Sequence, residues 1–280
     1  MASPPITPAS RLGPVGSRHR PANVATTVPL VLARPSLLSA TSAVFAQQIS
    51  RARVALVPLL FVGTFQSLGI LLLLRGVVDT SSTLTKQQVV AGSTVLVAAF
   101  VCLNLFAQRL GSLRAEGGLD YYAAMDVPGG AVVLGAAASY AAFIVPGTAV
   151  TAVVGAELYD LPLGRIWILA AVMPLAATAL AGLGALLGLL APKPELATIA
   201  GQLGMSAVIF LNLIPEHRLP GVLQAVRAIV PSTYASDALA ETFRTQVRWG
   251  TVGIDLVVCA AVAAAALAIA SVLFRRQACR

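Results

Sequence analysis

Few residues of this 280-residue chain are placed to carry covalent chemistry. The only histidines, His19 and His217, stand apart, and there is no HExxH pair of zinc ligands. Cys102, Cys259 and Cys279 follow no metal spacing and no paired framework. Two of them lie in apolar runs, where a thiol acts as a small hydrophobe. There is no Gly-x-Ser-x-Gly elbow, and no Gly-Lys dipeptide occurs anywhere, so the chain has no Walker A loop to cradle ATP phosphates. What remains is a set of polar side chains inside apolar stretches: Gln66, Ser67, Asn104, Gln202, Ser206 and Asn212. Gln202, Met205, Ile209 and Asn212 recur at steps of three and four and form one helical stripe. Such groups either line a polar path through an apolar layer or hydrogen-bond helices to one another. Asp255 is the one charge inside an apolar stretch. A single carboxylate is a thin basis for proton coupling, and it reads as a snorkelling or helix-start residue.

The elements that must position these groups follow from composition. The chain is 58% hydrophobic and 11% charged, where a soluble domain averages roughly 25% charged residues. So few charges do not cover a soluble surface, which excludes an ordinary cytosolic enzyme, a disulfide scaffold and a disordered chain. A bilayer core of about 30 Å needs about 20 apolar residues in a helix. Six stretches meet or approach that length: Val54–Leu74, Val89–Phe106, Ala131–Val154, Ile166–Leu190, Ala197–Ile214 and Val252–Phe274. Of 30 charged residues only Asp255 falls inside them, and they lack the alternation of barrel strands. The expected fold is therefore an all-α polytopic membrane protein with six transmembrane helices.

Pro58, Pro146 and Pro174 are expected to kink their helices, and Gly184 and Gly188 form a GxxxG spacing. Residues 1–35, rich in Pro and Arg, are expected to be a disordered cytoplasmic tail without a cleaved signal. In residues 36–53, Leu38, Phe45 and Ile49 fall near one face, which reads as an amphipathic interfacial helix or an extension of the first span. Residues 54–274 form the six-span domain, and 275–280 a cytoplasmic tail.

An even number of spans puts both termini on one side. With that side inside, twelve Lys/Arg lie inside against seven outside, and the whole net charge of +8 falls on the inner face. The positive-inside rule thus favours N-in, C-in, and the basic balance reports topology instead of a nucleic-acid partner. Two connections are then informative. The inner one, 107–130, runs Arg109-Leu-Gly-Ser-Leu-Arg114-Ala-Glu116-Gly117-Gly118-Leu119-Asp120-Tyr121-Tyr122 and on to Pro128. The outer one, 215–251, holds an amphipathic run from Leu219 to Val230, then Pro231, then a second helical run from Ala235 to Val247.

These two segments resemble the type 2 permeases of ATP-binding-cassette (ABC) transporters. The inner pattern is acidic, Gly, small, Leu, acidic, and later a Pro opening span three; Glu116, Gly117, Gly118, Leu119, Asp120 and Pro128 match it. Gly118 stands where the family usually has Thr or Ser, which is expected to loosen the helix start there. The outer pattern is matched by Pro215, Pro220, Pro231, Tyr234 and Asp237, while Ala240 replaces a common Arg. The likeness covers roughly residues 36–274.

The resemblance implies a drug- or lipid-exporter-like permease that borrows its chemistry. A separate ABC ATPase subunit, carrying ATP and Mg, would dock on a short helix around Gly118–Met125. Leu119, Tyr122 and Asp126 would share its face, with Arg109, Arg114, Glu116 and Asp120 pairing with the ATPase; the plain alternative is a solvated loop. The two short outer helices would gate the pathway at Pro220, Pro231, Tyr234 and Asp237, or merely pack on span ends. Gln66, Asn104, Gln202, Met205, Ser206, Ile209 and Asn212 would line the path or the seam with a second permease subunit, alike or paralogous. The chain itself would hold no cofactor or metal, catalyse no reaction, contact membrane lipid and bind no nucleic acid. Cargo would be hydrophobic or amphipathic, moved out across the plasma membrane. A stand-alone secondary carrier, a lipid-acting membrane enzyme and an assembly factor are the other readings.

Overall fold

The computed structural model describes residues 36–77, 82–124, 127–213, 221, 224, 227, 230–244 and 246–278. In chain order these form α1 (Leu37–Val77), α2 (Thr83–Ala98), a π-helical stretch (Ala99–Leu105), α3 (Phe106–Ala115), α4 (Gly118–Ala124), α5 (Gly129–Leu158), a short 3-10 turn (Ile166–Ile168), α6 (Leu169–Leu190), α7 (Pro194–Leu213), α8 (Pro231–Thr242) and α9 (Trp249–Ala278). There is no strand among the described residues. Six helices are long and apolar enough to cross a membrane: Val57–Val77, Thr83–Ala115, Gly129–Leu158, Ile166–Leu190, Pro194–Asn212 and Trp249–Gln277. The expected fourth span, Ile166–Leu190, coincides with the observed one.

Local chemistry sets the boundaries. Ser36 Oγ accepts the Ser39 backbone N–H at 3.2 Å at the start of α1. Gly117, at φ 70°, takes the left-handed conformation that stops α3. Pro128 precedes α5, while Pro194 opens α7 and Pro231 opens α8, where a missing N–H costs nothing. Pro58, Pro146 and Pro174 lie inside continuous helices, as membrane helices tolerate. The expected tail, 1–35, and the final residues, 279–280, lie outside the described residues.

Two expectations change. The interfacial helix and the first span are one unbroken helix of 41 residues. Among its described side chains before the span, Ala40 and Val44 are buried, while Leu38 is exposed. Thr41 and Val44 pack where a Cβ on Gly135 of α5 would stand, so this segment docks along span three. The second span also outgrows its expected limits, running through Ala115. Arg109 and Arg114 thus sit on a helix that continues span two, because no Pro interrupts it and Gly111 is packed inside it against Ala197, until Gly117 ends it.

Span two is the axis of the bundle. In its most apolar window 89% of residues are buried, against 17%, 28% and 22% in the first, fifth and sixth spans. Those outer spans turn Phe61, Phe65, Leu203, Phe210, Ile254 and Val257 outward. Glycines let the other helices reach the axis. A Cβ on Gly184 would stand 2.6 Å from the Cys102 carbonyl oxygen, and one on Gly188 2.5 Å from that of Ala107. A Cβ on Gly201 of α7 would stand 2.8 Å from Asn104 Oδ1. The GxxxG spacing of α6 therefore seats it backbone to backbone on the π-helical stretch and the helix after it.

Gly184→Val forces a branched side chain onto two carbonyls and is expected to cost about 1–3 kcal/mol, as overpacking does. Gly253→Ala, where nothing lies within 4 Å, is expected to leave stability unchanged or slightly raised. Thermal unfolding of the two purified variants in detergent checks the contrast.

Candidate functional site

The chemistry-bearing residues collect at the two ends of the bundle. At the α4 end, the turn Glu116–Gly117 swings the chain from α3 into α4, which packs on α9, α3 and α5. Leu119 and Tyr122 are buried, at 4% and 9% exposure. Tyr122 lies edge-on to Phe274 of α9, ring centroids 6.4 Å apart. The face expected to receive a partner is therefore the face that anchors α4 to its own bundle. The outward face carries Tyr121, 60% exposed, beside the exposed Glu116 and Gly117. α4 starts on Gly118, with the Leu113 side chain packed where its Cβ would be. Asp126 lies outside the described residues, as does the side chain of Asp120.

Arg114 is also turned inward. Its Nη1 donates to the carbonyls of Leu189 and Ala191 at 2.8 and 2.7 Å. Gln277 Nε2 donates to the same Leu189 carbonyl at 2.8 Å. Arg114 thus caps the C-terminus of α6, where a cation meets the negative end of the helix dipole. Arg109 is exposed on α3.

At the α8 end a polar seam joins α2 to α8. Arg227 Nη2 donates to both oxygens of Asp237, at 2.8 and 3.0 Å, and its Nη1 donates to the Leu211 carbonyl at 3.0 Å. Gln88 Nε2, from α2, donates to Ser236 Oγ at 3.1 Å and Asp237 Oδ1 at 3.2 Å. Gln87 Nε2 donates to the Phe243 carbonyl at 3.0 Å. Glu241 is buried, and Arg248 reaches it through Nε at 3.1 Å and Nη2 at 2.6 Å. Arg244 Nε stands 3.2 Å from the same carboxylate. Contact with Glu241 raises the Arg248 pKa, first by hydrogen bonding and then by charge. Pro231 is buried at the first turn of α8, and Tyr234 is half-buried one turn on. Pro220 and most of the first expected outer helix lie outside the described residues. Described α8 is enclosed by α2, α6, α7 and α9, so it is wedged among span ends.

Two further features mark this end. Trp167 and Trp249, the chain's only tryptophans, are exposed and stacked at 6.0 Å, as aromatic residues do at a bilayer interface. Tyr159 donates to the Leu71 carbonyl at 2.9 Å, tying α5 to α1, and burial raises its phenol pKa.

The expected path residues are not brought together. Asn104 is buried on span two, accepts Gln108 Nε2 at 2.9 Å and faces Gly201. Asn212 is fully buried at the seam, Met205 is buried, Gln66, Ser206 and Ile209 are half-buried, and Gln202 is exposed on the flank of α7. The stripe thus runs from an open flank into the bundle. The seam residues Gln87, Gln88, Arg227, Glu241 and Arg248 belong to no sequence motif. Glu241, Arg244 and Arg248 at i, i+3 and i+7 were the signal available for part of it.

A family model described as ABC-2 type transporter matches residues 39–243, most of the chain and nearly all of the bundle up to α9. No curated protein sequence matches the chain at a significant level.

Asp237→Ala leaves the Arg227 guanidinium, 9% exposed, with only a carbonyl. Because Asp237 is 40% exposed and screened by solvent, the expected loss is about 1–2 kcal/mol. Arg227→Met with Asp237→Ala is expected to recover part of it. Thermal unfolding of both variants in detergent decides this.

Proposed function

The chain belongs to the ABC-2 type transporter family, and from that premise we propose that it is the permease subunit of an exporter that takes its energy from a separate ATPase. The family assignment makes it a multi-pass membrane component of an ABC transporter, which is not itself an enzyme. On the proposed reading both termini are cytoplasmic, as the distribution of basic residues supports, and the α4 end faces the ATPase in the plasma membrane. ATP and Mg act on that partner, and a second permease subunit, alike or paralogous, completes the pore.

One observation carries the docking assignment: α4 is anchored from behind and offers a small, firmly held outer patch. Leu119, Tyr122 and the Arg114 cap fix the patch to α9, α3 and α6, leaving Tyr121 and Glu116 facing out. A push on this patch is delivered to the foot of span two, a helix of 33 residues that is about 50 Å long at 1.5 Å per residue. Its far end carries Gln87 and Gln88, which hold α8. Tilting span two therefore works on the α8 seam, where cargo would leave. The outward spans and the apolar flank of α7 around Gln202 suit a hydrophobic or amphipathic cargo and a second subunit.

Tyr121→Asp and Glu116→Arg are expected to weaken co-purification with the partner ATPase about tenfold or more while the permease still unfolds at its usual temperature. Leu119→Asp, which buries a charge, is expected to lower folded yield instead. Full association and ATP-driven transport in both Tyr121→Asp and Glu116→Arg contradict docking at α4.

A further inference from the structure

The α8 end holds a cleft that the docking and gating scheme does not use. It has a volume of about 390 Å³ and lies between the start of α2, α8, the side chains of Arg227, Arg244 and Arg248, and the start of α9. That size is in the range of small-molecule sites. Its walls include three arginines and three carboxylates: Arg227, Arg244, Arg248, Asp237, Glu241 and Asp255.

The charges are not paired one to one. Arg227 is held by Asp237, and Arg244 and Arg248 both lie on Glu241. Asp255 is left over. It is 6% exposed, no cation stands within ion-pair distance of it among the described residues, and its Oδ2 has no hydrogen-bond partner. It lies six residues into α9 from Trp249, about 9 Å along the axis at 1.5 Å per residue, below the aromatic pair that marks the interface. An unpartnered carboxylate at that depth is costly unless it holds a proton or a cation meets it. An anion entering the cleft meets Asp255, and the guanidiniums there already face Asp237 or Glu241. A cation finds a bare carboxylate oxygen, with the hydroxyls of Ser82, Thr85 and Thr251 among the lining groups.

We propose that this cleft binds an organic ammonium group, with Asp255 as the carboxylate that receives it. The ammonium N–H groups donate to Asp255, and the adjoining alkyl part lies along Leu84 and Ala240. The same chemistry is offered by an amphipathic amine in transit and by an ethanolamine lipid headgroup. The former source deepens the export reading and depends on it; binding itself does not.

The full chain alone, purified in a maltoside detergent, serves for the test, so failure of ATPase docking leaves the result untouched. Trp249 stands at the start of the same helix, and intrinsic tryptophan fluorescence is the readout. n-Octylammonium chloride is expected to give a saturable change that octanol does not give. Asp255→Asn, an isosteric change expected to fold at least as well as wild type, is expected to weaken the amine at least tenfold, in line with loss of a charge-assisted hydrogen bond. Asp255→Glu is expected to keep most of it. Repeating the titration in phosphatidylcholine nanodiscs with and without phosphatidylethanolamine identifies the source. Competition by the ethanolamine lipid points to the headgroup, and unchanged affinity points to a free amine. Equal binding of octanol and octylammonium, no saturable change, or undiminished binding in Asp255→Asn overturns the proposal.

Discussion

Four of the other five spans, carried on α1, α5, α6 and α7, pack directly on one buried helical axis, and the sixth span packs on α5 and α6 around it. Span two gives up almost all of its surface, and a helix so enclosed needs neighbours that come close enough to touch its backbone. Gly184, Gly188 and Gly201 permit that approach, and they meet the axis along and just beyond its π-helical stretch. There is little hydrophobic drive between helices in lipid, so such close packing holds them together. The outer spans then have only one inward face each, and their remaining faces stay apolar for lipid or a second subunit.

The axis is held differently at its two ends. At the α4 end it is fixed: Arg114 caps α6, and α4 is pinned through Leu119 and Tyr122. At the α8 end it is held by side-chain hydrogen bonds from Gln87 and Gln88 and by the arginine–carboxylate pairs beside them. Most of the buried polar atoms without a partner also lie there, on Gln87, Asn212, Ser232, Thr242, Arg244 and Asp255. Hydrogen bonds exchange with water at small net cost, whereas glycine-mediated backbone packing has no such substitute.

Much of the fold was legible because its signal is additive along the chain. Eighteen or more apolar residues in a row announce a span, and Gly117, Pro128 and Pro231 punctuate the segments around α4 and α8. Faces were less legible. Leu119 and Tyr122 share a face by spacing, but spacing does not say whether that face meets a partner or its own bundle; the position of Phe274, far along the chain, decides it. Arg114 read as a surface charge because its acceptors, Leu189 and Ala191, belong to a distant helix end. The Arg227–Asp237 pair closes across a proline that no periodicity spans. Asp255 was noticed for its depth, but its lack of a partner appears only when the three arginines are seen to be engaged elsewhere.

If span two delivers the motion of the ATPase to the α8 seam, the seam must open during transport. Cysteines in place of Gln88 and Ser236, whose side chains meet at 3.1 Å, allow a short reducible cross-linker to tether α2 to α8. Native Cys102 and Cys259 are buried, and Cys279 is replaced by Ser for the purpose. ATP-driven efflux from proteoliposomes holding this permease and its ATPase is expected to fall at least tenfold on cross-linking and to return on reduction, with ATPase association unchanged. Undiminished efflux by fully cross-linked protein would contradict the role given to the seam.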